Sequence, residues 1–86
     1  MRLRNEFILH TDKNGTFLIP SGEADFSGVV RGNSSFEHIV NLLKEDTTEE
    51  EIVKNMTQKY DAPKEIIERD VKKVVENLHE IGAIID

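Results

Sequence analysis

The apolar spacing of this 86-residue chain changes its character once, at Gly32-Asn33, and that change divides what can form on either side. Upstream, Phe26 to Arg31 (FSGVVR) reads as a strand, because Val29 and Val30 are β-branched and sit in a short apolar run. Downstream, Phe36, Ile39, Val40 and Leu43 recur at helical spacing and make one apolar stripe. Ser34 stands three residues before Glu37, the spacing of a capping box that starts a helix. The chain before this corner is expected to build a small sheet, and the chain after it a helical lobe.

Two more strands precede the corner. Residues 6–10 contain the apolar run Phe7-Ile8-Leu9, and residues 15–19 contain Phe17-Leu18-Ile19, ended by Pro20. Asn14-Gly15 between them is a hairpin signal, since both residues tolerate φ > 0. Residues 21–25 (SGEAD) form a second, looser turn into the third strand. Short strands are marginal alone in water, so the sheet must lean on the helices. Gly28, placed in mid-strand, reads either as a bulge or as room for a docking peptide.

After the corner, the first helix is expected from about Ser34 to Lys44. Thr47 or Thr48 caps the second, with Glu50 or Glu51 completing its box and Ile52, Val53, Met56 and Tyr60 as its buried stripe. Pro63 suits the first turn of the third. Its apolar face runs through Ile67, Val71, Val74, Val75, Leu78 and Ile81, with Gly82 just past its end. The core face centres on Ile67, Val71, Val74 and Leu78, which puts Ile66, Asp70, Lys73 and Asn77 on one flank. Ala83-Ile84-Ile85 leaves as an extended tail packed on the sheet or the helices. The fold class is therefore α+β: a three-stranded antiparallel sheet, then a three-helix, winged-helix-like lobe, in one domain over residues 1–86.

Composition removes several function classes. There is no cysteine, hence no disulfide and no thiolate metal site, which fits a reducing, cytoplasmic setting. The start MRLRNEF lacks the apolar region of a signal peptide, and no run reaches membrane-spanning length. The net charge of −6 repels phosphate backbones. His10, His38 and His79 fall on three different elements, none with a second ligand at metal-binding spacing. The acidic triplet Glu49-Glu50-Glu51 reads as a charged first helical turn. Gly28, Gly32 and Gly82 form no phosphate loop, and no serine or threonine sits in a nucleophile elbow. The residues point to no enzyme, no cofactor and no metal.

The ordered set of Asn33, Leu42-Leu43, Thr48, Glu51-Ile52, Tyr60, Asp70-Val71, Val74-Val75, Leu78 and Gly82 resembles the PqqD-like family, also called the RiPP precursor peptide recognition element. The resemblance covers nearly the whole chain. It departs from the family pattern at Gly32, where the corner carries leucine, and at Phe36, His38 and Ala83. It implies a peptide chaperone that binds the leader segment of a ribosomally made precursor peptide by strand addition and presents it to a modifying enzyme, such as a radical SAM maturase. PQQ biosynthesis is one setting of such proteins. The leader would add to the third strand, along Phe26, Ser27, Gly28, Val29, Val30 and Arg31, and lie beside Ile66, Asp70, Lys73 and Asn77 of the third helix. The ligand expected on this reading is a basic or apolar extended peptide. An edge strand offers unpaired N–H and C=O groups to such a peptide. The same edge can pair with a second copy, which leaves a homodimer open. The rival readings are a winged-helix DNA binder, with Arg69, Lys72 and Lys73 on a recognition helix, and a generic protein-interaction domain.

Overall fold

A computed structural model describes residues 1–22 and 28–86 of the chain. Its elements, in chain order, are β1 (Arg2–Leu3), β2 (Phe7–Asp12), β3 (Gly15–Pro20), β4 (Val30–Gly32), α1 (Ser34–Leu42), α2 (Glu49–Lys59), α3 (Lys64–Glu80) and β5 (Ile84–Ile85). β2, β3 and β4 form the expected antiparallel meander in that spatial order. The short β1 pairs antiparallel with β5 in a second, two-stranded sheet. The C-terminal tail therefore pairs with the opposite end of the chain rather than with the meander.

The hairpin differs from its sequence signal. Asp12 and Gly15 close it, so the turn residues are Lys13 and Asn14. Of the described residues, only glycines have positive φ, and Gly15 takes φ 131°. The Asp12 carboxylate accepts the Asn14 N–H at 2.7 Å, an Asx turn that lets Asn14 keep a negative φ. That bond, helped by His10 Nε2 at 3.0 Å, holds the Asp12 carboxyl below its ordinary value of 3.8.

β4 is shorter than its sequence signal and starts later. Gly28 lies outside it, at φ 119°, and so is neither a mid-strand residue nor a bulge in a paired ladder. Val29 also precedes the strand. Phe26, Ser27 and most of the looser turn lie outside the described residues. Gly32, expected to break the strand, is its last residue, opposite Thr16.

The helix caps are local and strong. Asn33, not Ser34, caps α1: its extended backbone aims Oδ1 at the Phe36 N–H, 2.9 Å away. Asn and Ser are equally good caps, and the extended turn after β4 reaches Asn33 first. Thr48 caps α2 by accepting the Glu51 N–H at 3.1 Å, while Glu51 Oε2 accepts the Thr47 hydroxyl at 3.0 Å. Pro63 starts α3. At its end, the Gly82 and Ala83 N–H groups donate to the His79 and Leu78 carbonyls at 3.0 and 2.8 Å, a Schellman closure with Gly82 at φ 74°.

The core lies between the meander's inner face and the helices. Leu18 from β3, Ile39, Val40 and Leu43 from the α1 region, Ile52 from α2, and Val71 and Leu78 from α3 are all fully buried. On α3 the buried stripe is Ile67, Val71, Val75 and Leu78; Val74, expected at its centre, is only partly buried at its margin. The chain ends are tied in by the Leu3 N–H to the Leu43 carbonyl at 2.7 Å and the Arg4 N–H to the Ala83 carbonyl at 2.8 Å.

Candidate functional site

Hydrogen-bond parity decides what the edge of β4 offers. Ser21 and Glu6 continue the β2–β3 register by one pair, and the Ser21 N–H donates to the Glu6 carbonyl at 2.6 Å. Bonded and non-bonded pairs alternate along an antiparallel ladder. The odd residues of β3 therefore bond to β2, and the even ones, Thr16 and Leu18, bond to β4. Leu18↔Val30 and Thr16↔Gly32 are bonded pairs, and Phe17↔Arg31 is a non-bonded one. The N–H and C=O of Arg31 thus point away from β3, where β4 has no neighbouring strand among the described residues. Val30 turns its own inward. Val29 has the parity of Arg31, one step before the strand.

Side-chain alternation sorts the same residues by face. Thr16 and Leu18 are buried, so their partners Gly32 and Val30 lie on the core face, and Val30 packs against the core. Arg31 and Phe17 share the opposite face, where the guanidinium lies 5.8 Å from the Phe17 ring centroid. Arg31 Nη2 also donates to the Asn14 carbonyl at 3.2 Å, tying the β4 edge to the hairpin tip.

Gly32 explains how β4 is held. A Cβ built there would overlap Phe36, at 2.6 Å from its Cβ and closer still to Cγ and Cδ2. The ring of Phe36 occupies the space above Gly32, and Phe36 is itself pinned by the Asn33 cap. β4 and the first turn of α1 are packed together here with no room for a side chain at residue 32. The sequence signal was present as a glycine at the departure from the family pattern, four residues before a phenylalanine also outside it.

The α3 flank is exposed throughout: Ile66, Asp70, Lys73 and Asn77 are all at the surface, with Ile66 43% accessible. Ile66 therefore does not close the core against α2. β4 packs mainly on β3 and α1, and α3 mainly on α2 and α1, so α1 links the two halves of the expected site. A broad open depression of about 1180 Å³ lies elsewhere, between α2 and α3, bordered by Glu51, Lys54, Glu68, Arg69 and Lys72. It holds none of the expected peptide-binding residues, and its mixed charges make a solvated surface.

The histidines each have a local partner. His38 Nε2 meets Asn55 Oδ1 at 2.8 Å and stacks edge-on against Tyr60, joining α1 to α2. His10 pairs with Asp12 and His79 with Asp86, each at 3.0 Å. Among the described residues no group of three His, Cys, Asp or Glu could hold a metal ion, and no helix is long and apolar enough to cross a membrane.

A family model described as Coenzyme PQQ synthesis protein D (PqqD) matches residues 7–84. Two solved structures share the fold. "TbiB1 in Complex with the TbiA(beta) Leader Peptide" superposes with a TM-score of 0.77 at 18% identity, over 100% of both chains. "Lasso peptide synthetase B1 complexed with the leader peptide" superposes with a TM-score of 0.77 at 22% identity, over 99% of this chain and 96% of that one. No curated protein matches the sequence.

Proposed function

The chain belongs to the PqqD family, and from that membership we propose that it binds the leader segment of a precursor peptide by strand addition to β4. The observation that carries the proposal is the outward N–H and C=O of Arg31 on an edge with no strand beside it among the described residues. Both solved structures of the same fold are complexes with leader peptides. The peptide would run along Val29 to Arg31 and contact the exposed Ile66–Asp70–Lys73–Asn77 flank of α3. With one outward residue in the strand and one before it, main-chain bonds are few, and side chains must supply much of the affinity.

The protein acts, on this reading, as a non-catalytic carrier in a cytoplasmic pathway. It presents the peptide to a modifying enzyme, for which a radical SAM maturase is one candidate. DNA binding is disfavoured by charge: residues 34–86 carry seven Lys or Arg against thirteen Asp or Glu, so the whole net charge of −6 falls on the part that holds the helices.

The test is an NMR titration of isotope-labelled protein with the leader of a precursor peptide encoded beside this gene. Amide shifts at residues 28–32 and 64–77 are expected. Shifts centred on β2, the other edge of the meander, or on α1 would overturn the placement.

A further inference from the structure

Three of the four large exposed apolar side chains among the described residues fall in one row across the outer face of the meander. Ile8 of β2 pairs directly with Ile19 of β3. Continuing the β3–β4 register by one step places Val29 beside Ile19. The three are 56%, 37% and 58% exposed. The next row, two residues along each strand, is His10–Phe17–Arg31. Both rows end at the outer edge of β4, which has no neighbouring strand among the described residues. Isolated exposed apolar residues need no explanation, but a contiguous row leading to an unpaired edge does.

A strand added at that edge continues both rows. Its residue opposite Val29 joins the apolar row, and its residue opposite Arg31 joins the charged one. These two lie on the same face of the added strand and so are two apart in the peptide. The residue between them turns toward Val30 and the core side. Within the described residues, no carboxylate oxygen comes within ion-pair distance of Arg31, whose guanidinium lies over the Phe17 ring and donates to the Asn14 carbonyl. A guanidinium has five N–H donors in a planar fork that fits a carboxylate.

Resting on the strand-addition reading above, we infer that Arg31 and Val29 read the outer face of the bound peptide, selecting an acidic residue opposite Arg31 and an aliphatic or aromatic residue two positions away. The acidic preference is confined to that one position, and the rest of the peptide can remain basic or apolar to suit the acidic helices. Opposite-charge and apolar cross-strand pairs at such exposed sites change affinity by about two- to fivefold each.

The test is a selection from a displayed library of random twelve-residue peptides against the folded protein. It is run in parallel on the wild type, Arg31→Glu and Val29→Lys, with binding sites checked by amide shifts. Wild-type selection is expected to enrich Asp or Glu at one position and an aliphatic or aromatic residue two away. Arg31→Glu should invert the first to Lys or Arg while leaving the second. Val29→Lys should replace the second with an acidic or polar residue while leaving the first. Peptides that shift the β4 amides but lack the acidic position, or whose pattern is the same for all three proteins, overturn this inference and leave strand addition standing. Failure to select any peptide that shifts the β4 amides overturns strand addition itself and the inference with it. The unfolding midpoint of Val29→Lys should match the wild type, because that side chain is exposed, and that of Arg31→Glu should fall only slightly, through loss of the surface contacts to Phe17 and the Asn14 carbonyl.

Discussion

Gly32→Ala is expected to destabilise the protein by about 2–3 kcal/mol, although it adds one methyl group to a strand residue with no positive φ. The added carbon would sit on Phe36, a core residue with 7% exposure. Rotation about the Phe36 side chain could move Cγ and Cδ2 away, but the Phe36 Cβ, 2.6 Å from the new carbon, is fixed by the backbone. That backbone is held by the Asn33 cap on the Phe36 N–H and by the Glu37 N–H to the Asn33 carbonyl at 3.0 Å. Relief therefore requires β4 to move relative to α1. The reduced freedom of alanine in the unfolded chain offsets only about 0.4–1 kcal/mol. Phe36→Ala alone should cost about 3–4 kcal/mol through the lost ring and the cavity it leaves. Phe36→Ala removes the ring but keeps the Cβ that lies 2.6 Å from the new carbon, so in the double variant about 1–2 kcal/mol of the Gly32→Ala cost should persist, a coupling of about 1 kcal/mol between the two sites. Urea unfolding followed by far-UV circular dichroism measures each term. With a slope of about 1 kcal/mol per molar urea, Gly32→Ala should lower the midpoint by about 2–3 M. An unchanged midpoint, or costs that add within about 0.5 kcal/mol, would refute the reasoning that Phe36 fills the space above Gly32.

Other outcomes follow from the same geometry. Leu43→Ala should cost about 2–4 kcal/mol and Val71→Ala about 1–3 kcal/mol in denaturant titrations, since both side chains are fully buried. Thr48→Ala should cost about 1 kcal/mol by freeing the Glu51 N–H at the start of α2, and Thr48→Ser should restore most of it. Val30→Pro removes an inward donor bonded to β3 and should lower the unfolding midpoint. Val29→Pro alters the outward side and should weaken peptide binding, measured by calorimetry, at an almost unchanged midpoint. The Asp12 carboxyl is held below 3.8 in the folded state, so its contribution is complete above the unfolded value and fades as pH falls through the folded one. The stability difference between wild type and Asp12→Asn should accordingly be present at pH 6 and vanish toward pH 2, and a difference that persists at pH 2 would contradict the assignment.

Much of the helical half is legible from residues close in sequence. The stripe Phe36–Ile39–Val40–Leu43, the Thr48 cap and the Gly82 closure each depend on groups within one or two turns of each other, and the structure has all three. Where two neighbouring residues suit one local role, spacing alone does not choose between them. Ser34 is expected to cap α1 and Val74 to centre the α3 core face, but the structure has Asn33 and Val75, and the open choice of Thr47 or Thr48 falls to Thr48. The sheet was legible as three strands but not in its limits. Phe7-Ile8-Leu9 and Phe17-Leu18-Ile19 are continuous apolar runs, so they hide the alternation that sends Ile8 and Ile19 to the outer face and Phe7 and Leu18 to the core. Asn14-Gly15 marked the hairpin, yet the Asp12 side chain moved the turn back by one residue.

The sequence by itself determined the order of the three meander strands and the three helices, the helix boundaries to within a residue or two, the absence of cysteine chemistry and the acidity of the helical half. These follow from backbone preferences and side-chain spacing over a few residues. Only the tertiary structure decided that β1 pairs with β5, that Phe36 sits over Gly32, and that Arg31 rather than Val30 turns its backbone outward. The physical reason is that each of these is a relation between separate segments. Strand parity reverses with a one-residue slip, and nothing within β4 fixes it until the Glu6–Ser21 end of the β2–β3 ladder has set which side of β3 faces β4.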